Sequence, residues 1–386
     1  METVRIGVIG VGNIGRHHAQ YLAEGRIRGA ELTAACDADP AARAWVAARY
    51  PGVAVFESME GLWASGRCDA VIVAVPHYGH PPAVMAALAH GLHVLVEKPA
   101  GVTTQAVKAM NAAARASGRV FAIMYNQRAN PVYQKVRDLV TAGELGPLRR
   151  TQWVVTTWYR SQSYYDSGQW RATWAGEGGG VLLNQAPHQL DLWLWVTGLR
   201  PQRVRAFCHF GKYHAIEVED EVTAYVEFAG GATGVFITST AEAPGTNRLE
   251  IVGDRGKVEV EGNRLVFWRL RMSEREFNRT YRGGFGAPEA WECRIPVAGS
   301  EGRHEAITQN WVDAIRTGAP LLAPGDEGLA MVELANAMLL STWQDGWVTV
   351  PVDEAAYEAA LQARIQASQA AKAGSGRVLD VGASFE

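Results

Sequence analysis

A glycine turn at Gly10–Gly15 (G-V-G-N-I-G) directly follows the first apolar run of the chain and opens a helical pattern. In this G-x-G-x-x-G spacing, the first glycine permits a tight turn, the second admits a pyrophosphate to the backbone, and the third packs helix on strand. The phosphates would lie at the positive end of the helix. The turn therefore predicts a dinucleotide-binding βαβ unit. The residues expected to contact the cofactor here are Gly10, Gly12, Asn13, Ile14 and Gly15.

Asp37 closes the second predicted strand, about 20 residues after the glycine turn. An acid at this position accepts hydrogen bonds from the ribose hydroxyls of a dinucleotide. Its charge also repels a 2′-phosphate, and no arginine immediately follows it. We therefore expect NAD rather than NADP. The alternative is a solvated acid in a turn, without a role in cofactor binding.

The first 125 residues alternate short apolar runs with helical patterns. The predicted strands span residues 3–9, 31–36, 70–75, 92–96 and 120–125, and the predicted helices span 14–24, 40–50, 81–90 and 103–117. Such alternation predicts an α/β domain with a doubly wound parallel sheet and right-handed crossovers. We expect this nucleotide-binding domain to cover residues 1–125.

The pattern changes after residue 125 to a helix, predicted over 130–142, and then to strand-like runs. These runs span residues 149–159, 203–210, 222–228, 233–240, 248–252, 257–261 and 264–268. They predict an α+β domain over residues 126–352, with a mostly antiparallel sheet that buries one face. Two helical segments, 305–317 and 325–342, are expected to pack back on the first domain. Residues 353–386 would form a C-terminal helix and a tail, which serves as an extension or as an oligomer arm.

Composition narrows the partners of the chain. With 386 residues, 48% hydrophobic and 20% charged, two globular domains are expected. A formal net charge of −3 provides no basic field for nucleic acid or for a membrane surface. The four cysteines lack metal or redox spacing, and no apolar run approaches the roughly 18 residues of a membrane span. Since the first residues also lack a signal-peptide pattern, we expect a cytoplasmic protein.

Ligands of open parallel sheets bind beyond the carboxyl ends of the strands. This rule points to Pro76–His80, Glu97–Pro99 and Tyr125–Arg128. The spacing of His77 and His80 is found in metal sites, but no carboxylate or cysteine cluster accompanies them, so no metal is expected. The residues expected to line the cofactor pocket at this edge are Pro76, His77, His80, Glu97, Lys98 and Asn126.

Lys98 is one of only six lysines among 37 basic residues, so composition alone favours arginine at its position. Unlike arginine, a lysine in a partly dry pocket near other cations can lose its proton near neutral pH. Lys98 is therefore a candidate for proton transfer. The alternative is a surface lysine at the end of a strand.

The chain resembles the Gfo/Idh/MocA oxidoreductases over about residues 3–352. The resemblance rests on Gly10–Gly15, Glu97–Pro99, Gly143–Gly146, Trp170-Arg171, and Gly178–Gly180 running into His188 and Asp191. It implies a Rossmann domain followed by a domain with a large open sheet, which serves dimer or tetramer contacts. It also implies oxidation or reduction of a sugar, a cyclitol or a related hydroxyl compound.

The resemblance also implies roles for individual residues. Lys98 and His188 would be the catalytic pair, and Glu97 and Pro99 would shape the nicotinamide pocket. Trp170 and Arg171 would reach the cofactor.

Asn184 departs from the pattern of many family members, which carry an aspartate four residues before the histidine. A spacing of four on a helix would put Asn184 and His188 on one face. An amide can bond a substrate hydroxyl but cannot stabilise a positive charge as a carboxylate does. We therefore expect Asn184 to orient the substrate in catalysis and His188 to be less basic. The alternative is an amide that only packs the helix.

An aromatic loop, 164–174, follows the predicted strand end at 157–160. Aromatic rings stack on the apolar faces of sugar rings, whereas arginine and amide side chains bond the hydroxyls. The alternative is that these aromatic residues pack a core or a subunit interface. The residues expected to bind substrate are Lys98, Asn126, Arg128, Tyr159, Arg160, Asn184, Gln185 and His188.

Three functions remain open from the sequence. The leading one is an NAD-dependent oxidoreductase that acts on a secondary ring hydroxyl of a sugar, glycoside or cyclitol. His188 would take the hydroxyl proton with help from Lys98. The second is a glycoside hydrolase that uses transient oxidation, elimination and retained NAD. The third is a sugar or cofactor sensor without catalysis, against which the presence of both Lys98 and His188 argues.

Overall fold

The computed structural model describes residues 3–168, 170–262, 264–299 and 303–368. The tail predicted after the last helix lies, from residue 369 onward, outside the described residues. No helix in the described part of the chain is both long enough and apolar enough to cross a bilayer.

The N-terminal half contains a parallel sheet of six strands in the order β3-β2-β1-β4-β5-β6. The strands are β1 (Val4–Ile9), β2 (Ala30–Cys36), β3 (Ala54–Phe56), β4 (Ala70–Val73), β5 (His93–Val96) and β6 (Phe121–Ile123). Every residue of β4 is buried, as expected of a parallel strand covered on both faces. The doubly wound parallel sheet is thus confirmed, although the sequence did not predict β3.

Five helices cover this sheet. They are α1 (Asn13–Ala23), α2 (Pro40–Arg49), α3 (Met59–Ala64), α4 (His80–Ala89) and α5 (Thr104–Ser117). Side chains cap several of them, because free backbone amides at a helix start need an acceptor. Asp39 accepts a hydrogen bond from the Ala41 amide, and Thr103 accepts one from the Ala106 amide. Helix α3 was not predicted from the sequence.

The second half contains a mixed sheet of nine strands in the order β14-β13-β12-β11-β7-β10-β9-β8-β15. Its strands are β7 (Leu148–Val155), β8 (Pro201–Phe210), β9 (Glu219–Phe228), β10 (Thr233–Ser239), β11 (Asn247–Gly253), β12 (Gly256–Glu261), β13 (Arg264–Leu270), β14 (Ala290–Ile295) and β15 (Val348–Thr349). Strands β7 and β10 pair in parallel, and the remaining pairs among the described residues are antiparallel. The predicted mostly antiparallel sheet is confirmed. Strand β7 ends at Val155, four residues before its predicted end.

The helices of the second half complete the fold. They are α6 (Pro131–Thr141), α7 (Gln162–Asp166), α8 (Pro187–Thr197), α9 (Glu274–Thr280), α10 (His304–Thr317), α11 (Gly328–Trp343) and α12 (Glu354–Ala367). Helices α7 and α9 were not predicted. The segment predicted as one helix over 325–342 is a 3₁₀ turn, Gly325–Glu327, followed by α11.

Helices α10 and α11 both contact the first domain, as the sequence predicted. Helix α10 contacts β1 and β5, and its Trp311 is fully buried. On α11, the Asn336 amide oxygen accepts hydrogen bonds from the Thr104 amide and hydroxyl, both at 3.0 Å. Its amide nitrogen donates to the Val102 carbonyl at 3.0 Å. Helix α11 contacts both α5 of the first half and β8 of the second sheet, and thus connects the two halves. Despite these contacts between the two halves, we propose that the boundary between the first and second domains lies after residue 125.

Candidate active site

The glycine turn after β1 has the shape that a bound pyrophosphate requires. Gly10 has φ +85°, and a Cβ there would lie 2.6 Å from the Ala74 carbonyl oxygen. A Cβ on Gly15 would lie 1.8 Å from the Gly10 oxygen, whereas one on Gly12 would meet nothing within 4 Å. No side chain caps α1, which begins with Asn13 and Ile14. The open space at Gly12 and the uncapped helix start both suit an anion.

Asp37 stands at the carboxyl end of β2, beside this turn. Its Oδ2 accepts a hydrogen bond from the Val11 amide at 2.6 Å, and its Oδ1 accepts one from the Asp39 amide at 2.8 Å. The two amides fix the carboxylate, which is only partly buried. Each oxygen keeps a further lone pair that can accept a hydrogen bond from a ribose hydroxyl.

His77 and His80 follow β4 and Pro76, and each ring holds a backbone carbonyl. His77 Nδ1 lies 3.1 Å from the Glu177 carbonyl oxygen, and His80 Nδ1 lies 2.7 Å from that of Pro99. Burial lowers the pKa of both histidines, so both are neutral near pH 7. The His77 ring also contacts Trp170 edge-on at 5.3 Å. Among the described residues, no group of three metal-binding side chains forms.

Glu97, at the end of β5, is buried in a polar network that the sequence did not predict. Its Oε1 lies 2.7 Å from His18 Nε2, and its Oε2 accepts a hydrogen bond from the Lys98 amide at 3.2 Å. His18 Nδ1 contacts the Tyr21 hydroxyl at 2.5 Å, and this hydroxyl contacts Thr308 of α10 at 2.7 Å. Burial alone would raise the pKa of Glu97, but the hydrogen bond and the charge of His18 lower it to about 2.

Lys98 reaches from the first half of the molecule into the second. Its Nζ donates a hydrogen bond to the Asn184 carbonyl oxygen at 2.8 Å. Burial lowers the pKa of Lys98, and the positive charges of Arg171 and Arg160 lower it further, against the charge of Glu97. The direction agrees with the sequence-based expectation for a lysine in a dry, cationic pocket.

His188 lies in the first turn of α8, and its ring faces Tyr125 edge-on at 6.3 Å. Its Nδ1 is buried without a hydrogen-bond partner in the described structure. Burial, followed by the charge of Lys98, lowers the pKa of His188 to about 3. The histidine is weakly basic, as expected. The main cause is burial, however, and not the exchange of aspartate for asparagine.

Asn184 does not share a helix face with His188, so that prediction is wrong. Helix α8 begins at Pro187, which has no amide hydrogen to donate and suits a first helical position, and Asn184 lies in the turn before it. Its side-chain amide donates to the Glu177 carboxylate, and its Oδ1 accepts a hydrogen bond from the Tyr164 hydroxyl at 3.4 Å. The side chain is thus held by protein groups, while its backbone oxygen holds Lys98.

Glu177 is a buried acid of the site that the sequence analysis did not predict. Its carboxylate is buried, with 1% exposure, and accepts a hydrogen bond from the Ala172 amide at 2.5 Å in addition to that from Asn184. Its position directly before Gly178–Gly180 was the available signal. Glu177 ties the glycine run to the aromatic loop.

Tyr164 is the centre of the predicted substrate side. The Arg171 guanidinium donates to its hydroxyl at 2.7 Å, and the Gln185 amide donates to it at 3.3 Å. The guanidinium carbons of Arg160 and Arg171 lie 5.1 Å and 4.6 Å from its ring centre, and that of Arg171 lies 4.5 Å from the Trp170 ring. Tyr159 is 54% exposed at the rim.

Arg128 and Asn126 lie in the 3₁₀ turn that follows β6, and both are buried. The Arg128 guanidinium binds Asp191 of α8 through two hydrogen bonds, at 2.9 Å and 2.6 Å, and also contacts Glu327. These acids raise the pKa of the arginine above its ordinary value, although burial opposes the shift. The structure thus commits Arg128 to buried ion pairs, away from the predicted substrate contacts.

Two models of one protein family match this chain. The first, described as an oxidoreductase family with an NAD-binding Rossmann fold, matches residues 4–125. The second, the C-terminal domain of GFO/IDH/MocA proteins, matches residues 133–259. Together they match more than half of the chain.

Individual relatives agree with this family. The rhizopine catabolism protein MocA of Rhizobium meliloti is 27% identical over 74% of this chain and 88% of its own. The inositol 2-dehydrogenase of Rubrobacter xylanophilus is 27% identical over 88% of this chain and 91% of its own. A solved structure of the WlbA dehydrogenase of Chromobacterium violaceum, in complex with NADH and UDP-GlcNAcA, is similar to this chain with a TM-score of 0.78 and 28% sequence identity. The match covers 92% of this chain and 97% of the WlbA chain. The protein thus belongs to the Gfo/Idh/MocA family of NAD-binding oxidoreductases.

Proposed function

We propose that this protein transfers a hydride between a secondary ring hydroxyl of a sugar, glycoside or cyclitol and NAD, with Lys98 and His188 as its proton-transfer residues. The contact between Lys98 Nζ and the Asn184 carbonyl carries this proposal. It brings the lysine of the first half to the turn that precedes His188. The relatives named as inositol 2-dehydrogenase and MocA support the substrate class.

The residues around the glycine turn fit NAD. Gly10–Gly15 would hold the pyrophosphate, and Asp37 would hold the adenosine ribose. Pro76, His77, Glu97 and Trp170 would surround the nicotinamide end. When bound, the nicotinamide accepts or returns the hydride.

His188 and Lys98 would both contact the substrate oxygen, with different roles. Because burial and the charge of Lys98 lower its pKa to about 3, His188 is neutral near pH 7, and a ring nitrogen of the neutral imidazole is open to the hydroxyl hydrogen. The Lys98 ammonium uses one donor on the Asn184 carbonyl and keeps others for the same oxygen. Its positive charge stabilises the oxygen as the proton leaves. In the reverse direction, His188 would return the proton to the carbonyl oxygen.

We also propose a homodimer or homotetramer that forms through the open face of the nine-stranded sheet. Phe207 on β8 and Tyr225 on β9 are 52% and 39% exposed on neighbouring strands. Exposed aromatic residues of this kind are enriched at subunit interfaces.

All four cysteines are free, which suits the reducing cytoplasm.

One assay separates the proposed function from the alternatives. The purified protein is incubated with NAD and a panel of inositols, sugars and nitrophenyl glycosides, while NADH and nitrophenol are both followed. We expect NADH to form in proportion to the oxidised substrate, without nitrophenol. Release of nitrophenol without net NADH would favour the hydrolase, and binding without either product would favour a sensor.

A further inference from the structure

Two arginines share the ring of one tyrosine on the substrate side of the site. Arg160 follows the end of β7, and Arg171 lies in the loop after α7. Their guanidinium carbons lie 5.1 Å and 4.6 Å from the Tyr164 ring centre. The tyrosine face attracts both cations, but it carries no charge that could neutralise either of them.

Neither arginine has an ionic partner among the described residues. Within residues 3–168, 170–262, 264–299 and 303–368, no carboxylate lies within 4 Å of either guanidinium. In the part of the chain that the structure describes, Arg160 Nε is buried without a hydrogen-bond partner, and the guanidinium donates only to the Tyr159 carbonyl, at 3.1 Å. Toward the described residues, the Arg171 guanidinium donates only to the Tyr164 hydroxyl. Since each guanidinium has five N–H donors, most of these donors are left for a ligand.

Two buried acids of the site, Glu177 and Glu97, already accept hydrogen bonds from other groups. The Glu177 carboxylate accepts hydrogen bonds from the Ala172 amide and from Asn184. Glu97 is paired with His18 and with the Lys98 amide. The positive charges of both arginines nevertheless reach Lys98, because they lower its pKa. The pocket thus combines three cations with two acids whose oxygens are already bonded.

A short chain of hydrogen bonds links these arginines to the catalytic lysine. Arg171 donates to the Tyr164 hydroxyl at 2.7 Å, and this hydroxyl donates to Asn184 Oδ1 at 3.4 Å. The backbone oxygen of the same asparagine holds Lys98 Nζ at 2.8 Å. One small ring molecule can therefore present a hydroxyl to Lys98 and another group to the arginines.

We propose that Arg160 and Arg171 form a subsite for a carboxylate of the substrate, and that the enzyme prefers sugar or cyclitol acids to neutral sugars. The fork of a guanidinium matches a carboxylate through two parallel hydrogen bonds. This inference rests on the proposed function and narrows its substrate class.

The test measures binding to the full-length protein saturated with NADH. Calorimetry compares D-glucuronate with D-glucose, D-galacturonate with D-galactose, and D-glucose 6-phosphate with D-glucose. We expect at least one acid to bind about tenfold or more tightly than its neutral parent, as charge-assisted hydrogen bonds provide. Arg160→Gln and Arg171→Gln should each reduce this ratio toward one. Arg115→Gln, at an exposed position on α5, is the matched control and should preserve it.

Each other result overturns the proposal. Equal binding of acids and parents, or no binding of any acid, contradicts an acid subsite. Tighter binding of the phosphate than of either uronate would assign the subsite to phosphate. If Arg171→Gln weakens NADH binding but leaves the acid preference intact, Arg171 serves the cofactor. Circular dichroism checks folding, and Arg160→Lys, which keeps the charge without the fork, should retain part of the preference.

The same experiment separates this inference from the proposed function. Selective binding of an acid without NADH formation from any substrate and NAD would contradict the dehydrogenase and leave the subsite in place. Turnover of neutral sugars, with no preference for acids in binding, would support the dehydrogenase and contradict the acid subsite.

Discussion

Lys98 Nζ donates a hydrogen bond to the backbone carbonyl of Asn184 at 2.8 Å. The lysine lies two residues after β5 of the parallel sheet, and the asparagine lies in the turn that leads into α8. Because the acceptor is a backbone atom, many substitutions of Asn184 would leave the acceptor itself in place. The folding of this turn therefore brings Lys98 Nζ to a backbone atom four residues before His188.

Removal of either proposed proton-transfer side chain should affect turnover more than cofactor binding. We expect Lys98→Ala and His188→Ala each to lower kcat by about 10²-fold or more, as for groups that transfer protons. NAD affinity and the circular dichroism spectrum should remain close to those of the parent. Lys108→Ala and His209→Ala, both at exposed positions, are the controls. Near-normal turnover in either active-site variant would refute the assigned roles.

Asp37 should set the preference for NAD. Its carboxylate is fixed by the Val11 and Asp39 amides at the edge of the predicted ribose site. Asp37→Ser should weaken NAD binding and bring the affinity for NADP closer to it, because the charge that repels a 2′-phosphate is gone. Fluorescence titration with both reduced cofactors measures the ratio. Equal affinities in the parent protein would contradict the prediction.

An aspartate at position 184 should be costly in this structure. The Asn184 amide donates to the buried Glu177 carboxylate, so Asn184→Asp would put two carboxylates in contact. One of them must then hold a proton, and the loss of that proton at higher pH should destabilise the protein. We expect the free energy of unfolding of Asn184→Asp to fall as pH rises from about 5 to 8, by about 1–3 kcal/mol relative to the parent.

Glu177→Gln in the Asn184→Asp background provides the control for this effect. The glutamine amide can donate to the new carboxylate, so the double variant should recover most of the loss. A single variant whose stability does not depend on pH would show that the two carboxylates do not interact.

Glu97 should contribute stability that disappears in acid. Its pKa is about 2 in the folded protein, against 4.5 ordinarily. A carboxyl group whose pKa is lowered by folding stabilises the folded protein at pH values above its ordinary pKa. This contribution to the free energy of unfolding, up to about 3 kcal/mol, is lost as the pH falls from about 5 to 2. Urea unfolding should show the difference between the parent and Glu97→Gln shrinking over this range. Glu60→Gln, at an exposed site on α3, should show no such trend.

The parallel sheet was predictable from the sequence because its strands are mostly apolar, and β4 is apolar throughout. All four residues of β4 are buried, and β-branched residues dominate the run. Strand β3 escaped prediction because it has only three residues, each partly exposed. Strand β14 is largely exposed at the sheet edge, so it shows no buried face in the sequence.

The polar network of the site was harder to predict because its partners are distant in sequence. His18 and Glu97 are 79 residues apart, and Tyr21 and Thr308 are 287 residues apart. No local sequence pattern predicts contacts between residues so far apart in the chain. Arg128 shows the same limit, because the ion pair with Asp191 that occupies it forms only when α8 packs on the 3₁₀ turn. In contrast, the start of α8 could have been located from Pro187.

Deuterium transfer tests the central claim most directly. Inositols and hexuronates with deuterium on the ring carbons are incubated with the protein and NAD, and the NADH formed is analysed by mass spectrometry. We predict deuterium in the nicotinamide with the parent protein, and its loss with Lys98→Ala and His188→Ala although both still bind NAD. NADH without deuterium, or equal labelling by these variants, would contradict hydride transfer from a ring carbon assisted by Lys98 and His188.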